Sequence, residues 1–179
     1  LYDSVYYWSW NTTTIGWNHS NTKDINFVYG AGNELLSKLR QAWSGSTWVN
    51  NWLYTYSYDA NHNQTSELRQ SWNSSVWENN YLYSYTYDVN NNQTSQLIQA
   101  WNGSAWANNV LYTYTYDSNN NRTGQLLQHW NGTAWENNMQ LFFTYDANNN
   151  QTNILEQSWN VSVWENIWFY TNTYDANNN

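Results

Sequence analysis

The chain has 179 residues, 20% aromatic and only 10% charged, with fifteen Trp, seventeen Tyr, and neither Pro nor Cys. Thirteen acids against five scattered bases give a formal charge of −8, which argues against nucleic acid as a partner because counterion-release binding needs a basic patch. The lack of cysteine excludes a disulfide framework or a thiolate metal site. No stretch approaches the ~20 apolar residues of a membrane span, and no signal peptide is visible.

Residues 1–36 read as a degenerate first repeat. Val5–Trp10 is expected to be a strand with Tyr6, Trp8 and Trp10 on one face, and Trp10, Asn11, Trp17 and Tyr29 keep the landmarks of the units that follow. Residues 37–179 hold four full units (37–65, 66–94, 95–123 and 124–152) and a truncated fifth, with a period of 29 residues. That shift carries Trp43 onto Trp72, Trp101, Trp130 and Trp159, and Tyr58 onto Tyr87, Tyr116, Tyr145 and Tyr174. A start at Leu1 and a stop at Asn179 inside a repeat suggest a processed polypeptide.

Each unit alternates with period two, the mark of strands. The short run Ser66–Trp72 puts Leu68, Gln70 and Trp72 together. The longer run from Trp77 puts Trp77, Asn79, Tyr81, Tyr83, Tyr85 and Tyr87 on one face, and Glu78, Asn80, Leu82, Ser84, Thr86 and Asp88 on the other. A tight turn, clearest at Asn102-Gly103, and an Asn-rich turn such as Asp88–Gln93 both reverse the chain. The expected fold is all-β, an antiparallel meander with two strands per unit; the alternative is a parallel β-solenoid. Each buried aromatic ring removes roughly 150–250 Å² from water, so aromatics alone can supply a core. An aromatic face of this density should not stay in water, which predicts a curled or spiral sheet, or one packed on another subunit.

The segments Tyr58-Asp59-Ala60-Asn61-His62-Asn63-Gln64-Thr65-Ser66, Tyr87–Ser95 and Tyr116–Thr123 resemble the YD repeat of RHS-type bacterial surface and toxin-shell proteins. The chain departs from that pattern at the common Gly, where it has His62, Asn91, Asn120 and Asn149. The Trp-Asn-Gly-Ser-x-Trp hairpin is more similar to secreted repeat proteins of Bacteroidota. These resemblances imply β-hairpin architecture, export and surface display.

Ten Asn-x-Ser/Thr sequons fall in turns, at Asn11, Asn18, Asn63, Asn73, Asn92, Asn102, Asn121, Asn131, Asn150 and Asn160. If the chain is exported, these are candidate glycan sites, as is Ser4 within Asp3-Ser4-Val5, which resembles a short O-glycosylation motif. Asp59, Asp88, Asp117 and Asp146 open loops with the 1, 3, 5 oxygen spacing of calcium loops. Gln stands where a bidentate Glu would be needed, so an Asx turn is the better account. Aromatic rows flanked by Asn and Gln also suit stacking on sugar rings, a carbohydrate-binding alternative.

No catalytic constellation is apparent. His19, His62 and His129 fall at unrelated repeat phases, and no nucleophile elbow or phosphate loop is present. The expectation is a structural protein, not an enzyme, with no cofactor. A meander has two free edges. The run Val5, Tyr6, Trp8, Trp10 is expected to add to the edge at Trp164, Trp168, Tyr170 and Tyr174 of a second copy, giving an extracellular or cell-surface homopolymer built head to tail.

Overall fold

The computed structural model describes residues 4–11 and 16–175, with side chains for 4–8 and 21–175. The strands are β1 (Ser4–Asn11), β2 (Gly16–Tyr29), β3 (Leu35–Trp43), β4 (Trp48–Tyr58), β5 (Gln64–Trp72) and β6 (Trp77–Tyr87). They continue with β7 (Gln93–Trp101), β8 (Trp106–Tyr116), β9 (Arg122–Trp130), β10 (Trp135–Tyr145), β11 (Gln151–Asn160) and β12 (Val163–Thr171). Every strand neighbours its sequence neighbours, in one open antiparallel meander, and the described residues contain no helix. The parallel solenoid is therefore excluded. Internal contacts group residues 1–83 with 100–106 as one unit, and 84–99 with 107–179 as a second.

Each repeat contributes a nine-residue strand ending in Trp and an eleven-residue strand beginning with one, until β11 and β12. The tryptophans across each tight turn meet edge-on or tilted, as in Trp43–Trp48 at 5.4 Å and Trp72–Trp77 at 4.9 Å. The same contact closes Trp130–Trp135 at 5.2 Å and Trp159–Trp164 at 5.0 Å. Such pairs add roughly 0.5–1.5 kcal/mol beyond their buried area. Beside each pair an amide bridge spans the hairpin: Gln41 to Asn50, Gln70 to Asn79, Gln99 to Asn108, Gln128 to Asn137 and Gln157 to Asn166.

Strict alternation does not hold along the long strands, and this corrects the expected single aromatic face. In the first unit Gln41 pairs with Asn50 but Arg40 pairs with Trp52, leaving Asn51 as an extra residue. In the second, Gln128 pairs with Asn137 but Leu127 pairs with Met139, leaving Asn138 extra. One inserted residue exchanges the faces of everything beyond it. Trp135 and Asn137 thus share a face with Gln128 and Trp130, whereas Met139, Leu141 and Phe143 lie on the opposite face. Tyr54 and Tyr56 are opposite Arg69 and Glu67 for the same reason, away from the face of Trp72, Gln70 and Leu68. Each unit accordingly has a tryptophan face and a tyrosine face.

The tyrosine face is knitted by cations. Arg69 lies 4.2 Å from the Tyr83 ring centre and 5.8 Å from that of Tyr54, and Arg122 lies over both Tyr114 and Phe143. Burial pushes the Tyr54, Tyr56, Tyr83 and Tyr114 phenols up, so they remain neutral at physiological pH. Among the residues whose side chains are described, only Asp24, Gly124 and Phe143 are buried. From β5 to β9 most strand side chains are half-covered.

Candidate functional site

The long turns explain the Tyr-Asp signature residue by residue. Asp59 Oδ1 accepts the backbone N–H groups of Asn61 and Asn63 at 2.8 and 2.9 Å, and Asp59 Oδ2 accepts Asn63 Nδ2 at 3.1 Å. Asp88, Asp117 and Asp146 repeat this set on the equivalent Asn residues. Hydrogen bonds from the Asn63 and Asn92 amides hold the Asp59 and Asp88 carboxyls below their usual range. The fourth turn residue has φ of 64–66° at His62, Asn91, Asn120 and Asn149. Asn is the side chain most at ease there after Gly, so the turn keeps its shape without the common glycine. The tyrosine then ties the turn to the preceding repeat. Tyr58 donates to the Leu35 carbonyl at 3.0 Å, Tyr116 to Gln93, Tyr145 to Arg122 and Tyr174 to Gln151.

This arrangement is an Asx turn, with three N–H donors on each carboxylate. Among the described residues no group of three or more His, Cys, Asp or Glu is placed to share a metal ion. Amides also link successive turns: Asn92 donates to Asn120 at 2.8 Å, and Asn119 and Asn121 both donate to Asn149.

The sequons separate into two environments. Asn63, Asn92, Asn121 and Asn150 are half-buried, with Nδ2, the atom a glycan would use, bound to the turn aspartate. Asn73, Asn102, Asn131 and Asn160 are exposed in the tight turns. Asn102 Oδ1 accepts the Ser104 N–H, the Ser104 hydroxyl and the Ala105 N–H, and Asn73 and Asn131 do the same in their turns. The Nδ2 groups of Asn73, Asn131 and Asn160 donate to Glu78, Glu136 and Glu165. Ala107 stands at the corresponding position in the Asn102 hairpin, so Asn102 Nδ2 is exposed and unengaged. Asn11 ends β1 and Asn18 lies within β2, not in turns as expected, and their side chains lie outside the described residues; Ser4 is exposed at the first residue of β1.

The two outer strands are β1 and β12. On β12, Trp168, Phe169 and Tyr170 are 56%, 64% and 53% exposed, and Ile167 is 47% exposed. On β1, Tyr6 and Trp8 are 47% and 56% exposed, while the Trp10 side chain lies outside the described residues. Some of the expected edge residues already have partners within the chain, Tyr6 lying edge-on to Trp48 with ring centres 6.5 Å apart. Trp164 packs on Trp159, and Tyr174 follows the end of β12 with its hydroxyl donating to Gln151. Val5 is half-buried and pairs with Asp24.

Sequence reasoning missed the node at Asp24, which is 1% exposed. Its carboxylate accepts Tyr7 at 2.7 Å, Lys38 at 2.9 Å and Arg40 at 2.7 and 3.0 Å. Burial pushes this carboxyl up, but the hydrogen bonds from Arg40, Lys38 and Tyr7 outweigh it and hold it at about 2. The available signal was Lys38 and Arg40 two residues apart on one face, in a chain with only five Lys and Arg.

No family model matches the chain, and no curated protein is similar to it. Among solved structures, a protein of unknown function from Bacteroides fragilis is similar in fold, with a TM-score of 0.57 at 14% identity over 68% of this chain and 92% of that one. A DUF3836 family protein from Bacteroides vulgatus matches at TM-score 0.43 and 26% identity, over 52% of this chain and 99% of that one. A DUF3836 family protein from Parabacteroides distasonis matches at TM-score 0.38 and 20% identity, over 51% and 90%. These last two likenesses are too slight to bear on the chain. None of the three is described as a YD-repeat or RHS protein. What the comparisons show is the fold.

Proposed function

We propose that the chain is a structural subunit of an extracellular or cell-surface filament, joined head to tail by β-strand addition. The observation that carries this reading is the outer strand β12, whose Trp168, Phe169 and Tyr170 are more than half exposed. Proteins that keep a sheet edge free blunt it with Lys, Pro or inward charges. From Val163 to Thr171 the only charge is Glu165, and from Ser4 to Asn11 there is none. The strand types also fit: β12 is a second strand of its repeat and β1 a first strand, the order that each long turn joins within the chain. Transferring the β4–β5 register, in which Leu53 pairs with Gln70 and Tyr54 with Arg69, sets Phe169 opposite Trp8 and Tyr170 opposite Tyr7 of the next copy. A contact of this type is heterologous and propagates without closing. Surface display follows from the resemblance to YD-repeat and secreted Bacteroidota proteins, and exposed turn asparagines such as Asn102 are the positions where a glycan would sit.

Electron microscopy of the purified chain tests the reading. Filaments are expected, and deleting residues 1–10 is expected to abolish them. A wild-type chain that stays monomeric at all concentrations, or polymers that persist in the deletion, would overturn it.

A further inference from the structure

Each unit has an open groove on its tryptophan face. In the first unit Trp77 and Trp101 line a groove of about 590 Å³ with Gln70, Glu78, Asn79 and Gly103. In the second, Trp135 and Trp159 line one of about 540 Å³ with Glu136, Asn137 and Val161. Each residue of the second groove lies 58 positions after its counterpart in the first, so the same repeat positions build both. We propose that these grooves are subsites for a polysaccharide, an extended β-linked chain of pyranose units with equatorial hydroxyls.

Three observations converge on that ligand. The indoles of each groove belong to different tryptophan pairs, Trp77 packing on Trp72 and Trp101 on Trp106, so each is held by its own partner. Beside them lie the Gln70 and Asn79 amides, groups that hydrogen-bond sugar hydroxyls while an aromatic platform covers the C–H face of the ring. Those polar groups are already oriented. Gln70 Nε2 donates to Asn79 Oδ1 at 3.1 Å, which leaves Asn79 Nδ2 and Gln70 Oε1 for a ligand. In the second groove the bond from Gln128 at 3.0 Å orients Asn137 in the same way.

Ring geometry selects within sugars, because a pyranose whose hydroxyls are all equatorial presents an unbroken C–H face to an indole. Spacing selects the polymer. The two tryptophan pairs that flank each groove stand two strands apart, about 9.6 Å at the usual strand separation, close to the length of a disaccharide in an extended β-linked chain. A helically coiled α-linked chain does not keep that rise.

The test is isothermal titration and tryptophan fluorescence of the full chain with cellohexaose and chitohexaose, and with maltohexaose as the α-linked control. Binding of one or both β-linked oligomers is expected. Trp101→Ala should weaken it roughly ten- to hundredfold, the scale for losing one ring stacked on an aromatic side chain, while Trp101→Phe keeps most of it. Should Trp101→Ala fail to fold, indole N–H resonances of the unmutated binding site decide, measured in the Phe169→Lys chain, where the assembly edge is charged. Shifts concentrated at Trp77, Trp101, Trp135 and Trp159 support the proposal. No binding at millimolar oligosaccharide, equal binding of maltohexaose, or shifts centred on Trp168 would overturn it. The grooves use neither β1 nor β12, so loss of sugar binding and loss of filaments are separate results.

Discussion

Strands β10 and β12 are the same element of the repeat one period apart, yet they face opposite surroundings. In β10, flanked by β9 and β11, Phe143 is 8% exposed and Met139 and Leu141 are half-covered. In β12, paired only with β11, Trp168, Phe169 and Tyr170 are all more than half exposed. The sequence does not soften the outer strand. Where β10 has Asn138 and Gln140, β12 has Ile167 and Phe169, so the outer strand is apolar on both faces. Neighbouring strands on both sides cover β10, and β12 is equipped for a neighbour.

The sharpest way to break that comparison is to truncate the same ring in both places. Phe143→Ala should cost about 3–4 kcal/mol in urea denaturation, the range for a buried aromatic. Phe169→Ala should change the stability of the isolated subunit by less than about 0.5 kcal/mol, as surface substitutions do, while weakening assembly. Equal costs at the two positions would remove the distinction between covered and open strands.

Next in size is Asp24→Asn in the first unit, which leaves Lys38 and Arg40 without their counter-charge and should cost about 3 kcal/mol. The sign of the pH dependence follows from a folded value of about 2. That value lies below the unfolded one of about 3.9, so the stabilisation is complete above pH ~4 and lost as pH falls through ~2, worth about 2–3 kcal/mol. Asp24→Asn should flatten that part of the acid-unfolding curve. The turn aspartates, also held below their usual range, leave a residual slope of the same sign.

Tyr145→Phe removes the clasp to the Arg122 carbonyl and should cost about 1 kcal/mol by thermal denaturation. The smallest expected effect is a gain. Val161 has φ of 56° where the matching turns place Gly103 and Gly132, and a β-branched residue is poorly suited to that region. Val161→Gly should stabilise the β11–β12 hairpin by about 0.5–1 kcal/mol, visible as a raised Tm.

Much of this was legible in the sequence because the repeat copies it several times. The period, the two strands per unit and both turns follow from Trp72 to Trp159 and from the Tyr-Asp positions, and the Asx turn follows from Asp-x-Asn-x-Asn. The placement of the faces was not legible. Alternation from Trp77 to Tyr87 is unbroken in the letters, and the residue that breaks it, Asn51 or Asn138 in its repeat, is one Asn of a pair and carries no mark of a bulge. The grooves were hidden for a related reason. Trp77 and Trp101 are separated by a whole hairpin, and only the strand order places them across a gap from each other. Asp24 lay in the degenerate first unit, where no copy exists to draw attention to it.

The central claim is the junction of β12 with β1 of another copy, and the absence of cysteine allows it to be trapped. A chain carrying both Trp8→Cys and Phe169→Cys places the two thiols opposite each other in the transferred register, at a Cα separation of about 4.5–5.5 Å that a disulfide spans. Mild oxidation followed by non-reducing electrophoresis should give a ladder of covalent multimers that collapses on reduction. Each single-cysteine variant should give at most dimers. A double variant that remains monomeric under oxidation, at concentrations where the wild-type chain forms filaments, would contradict the account.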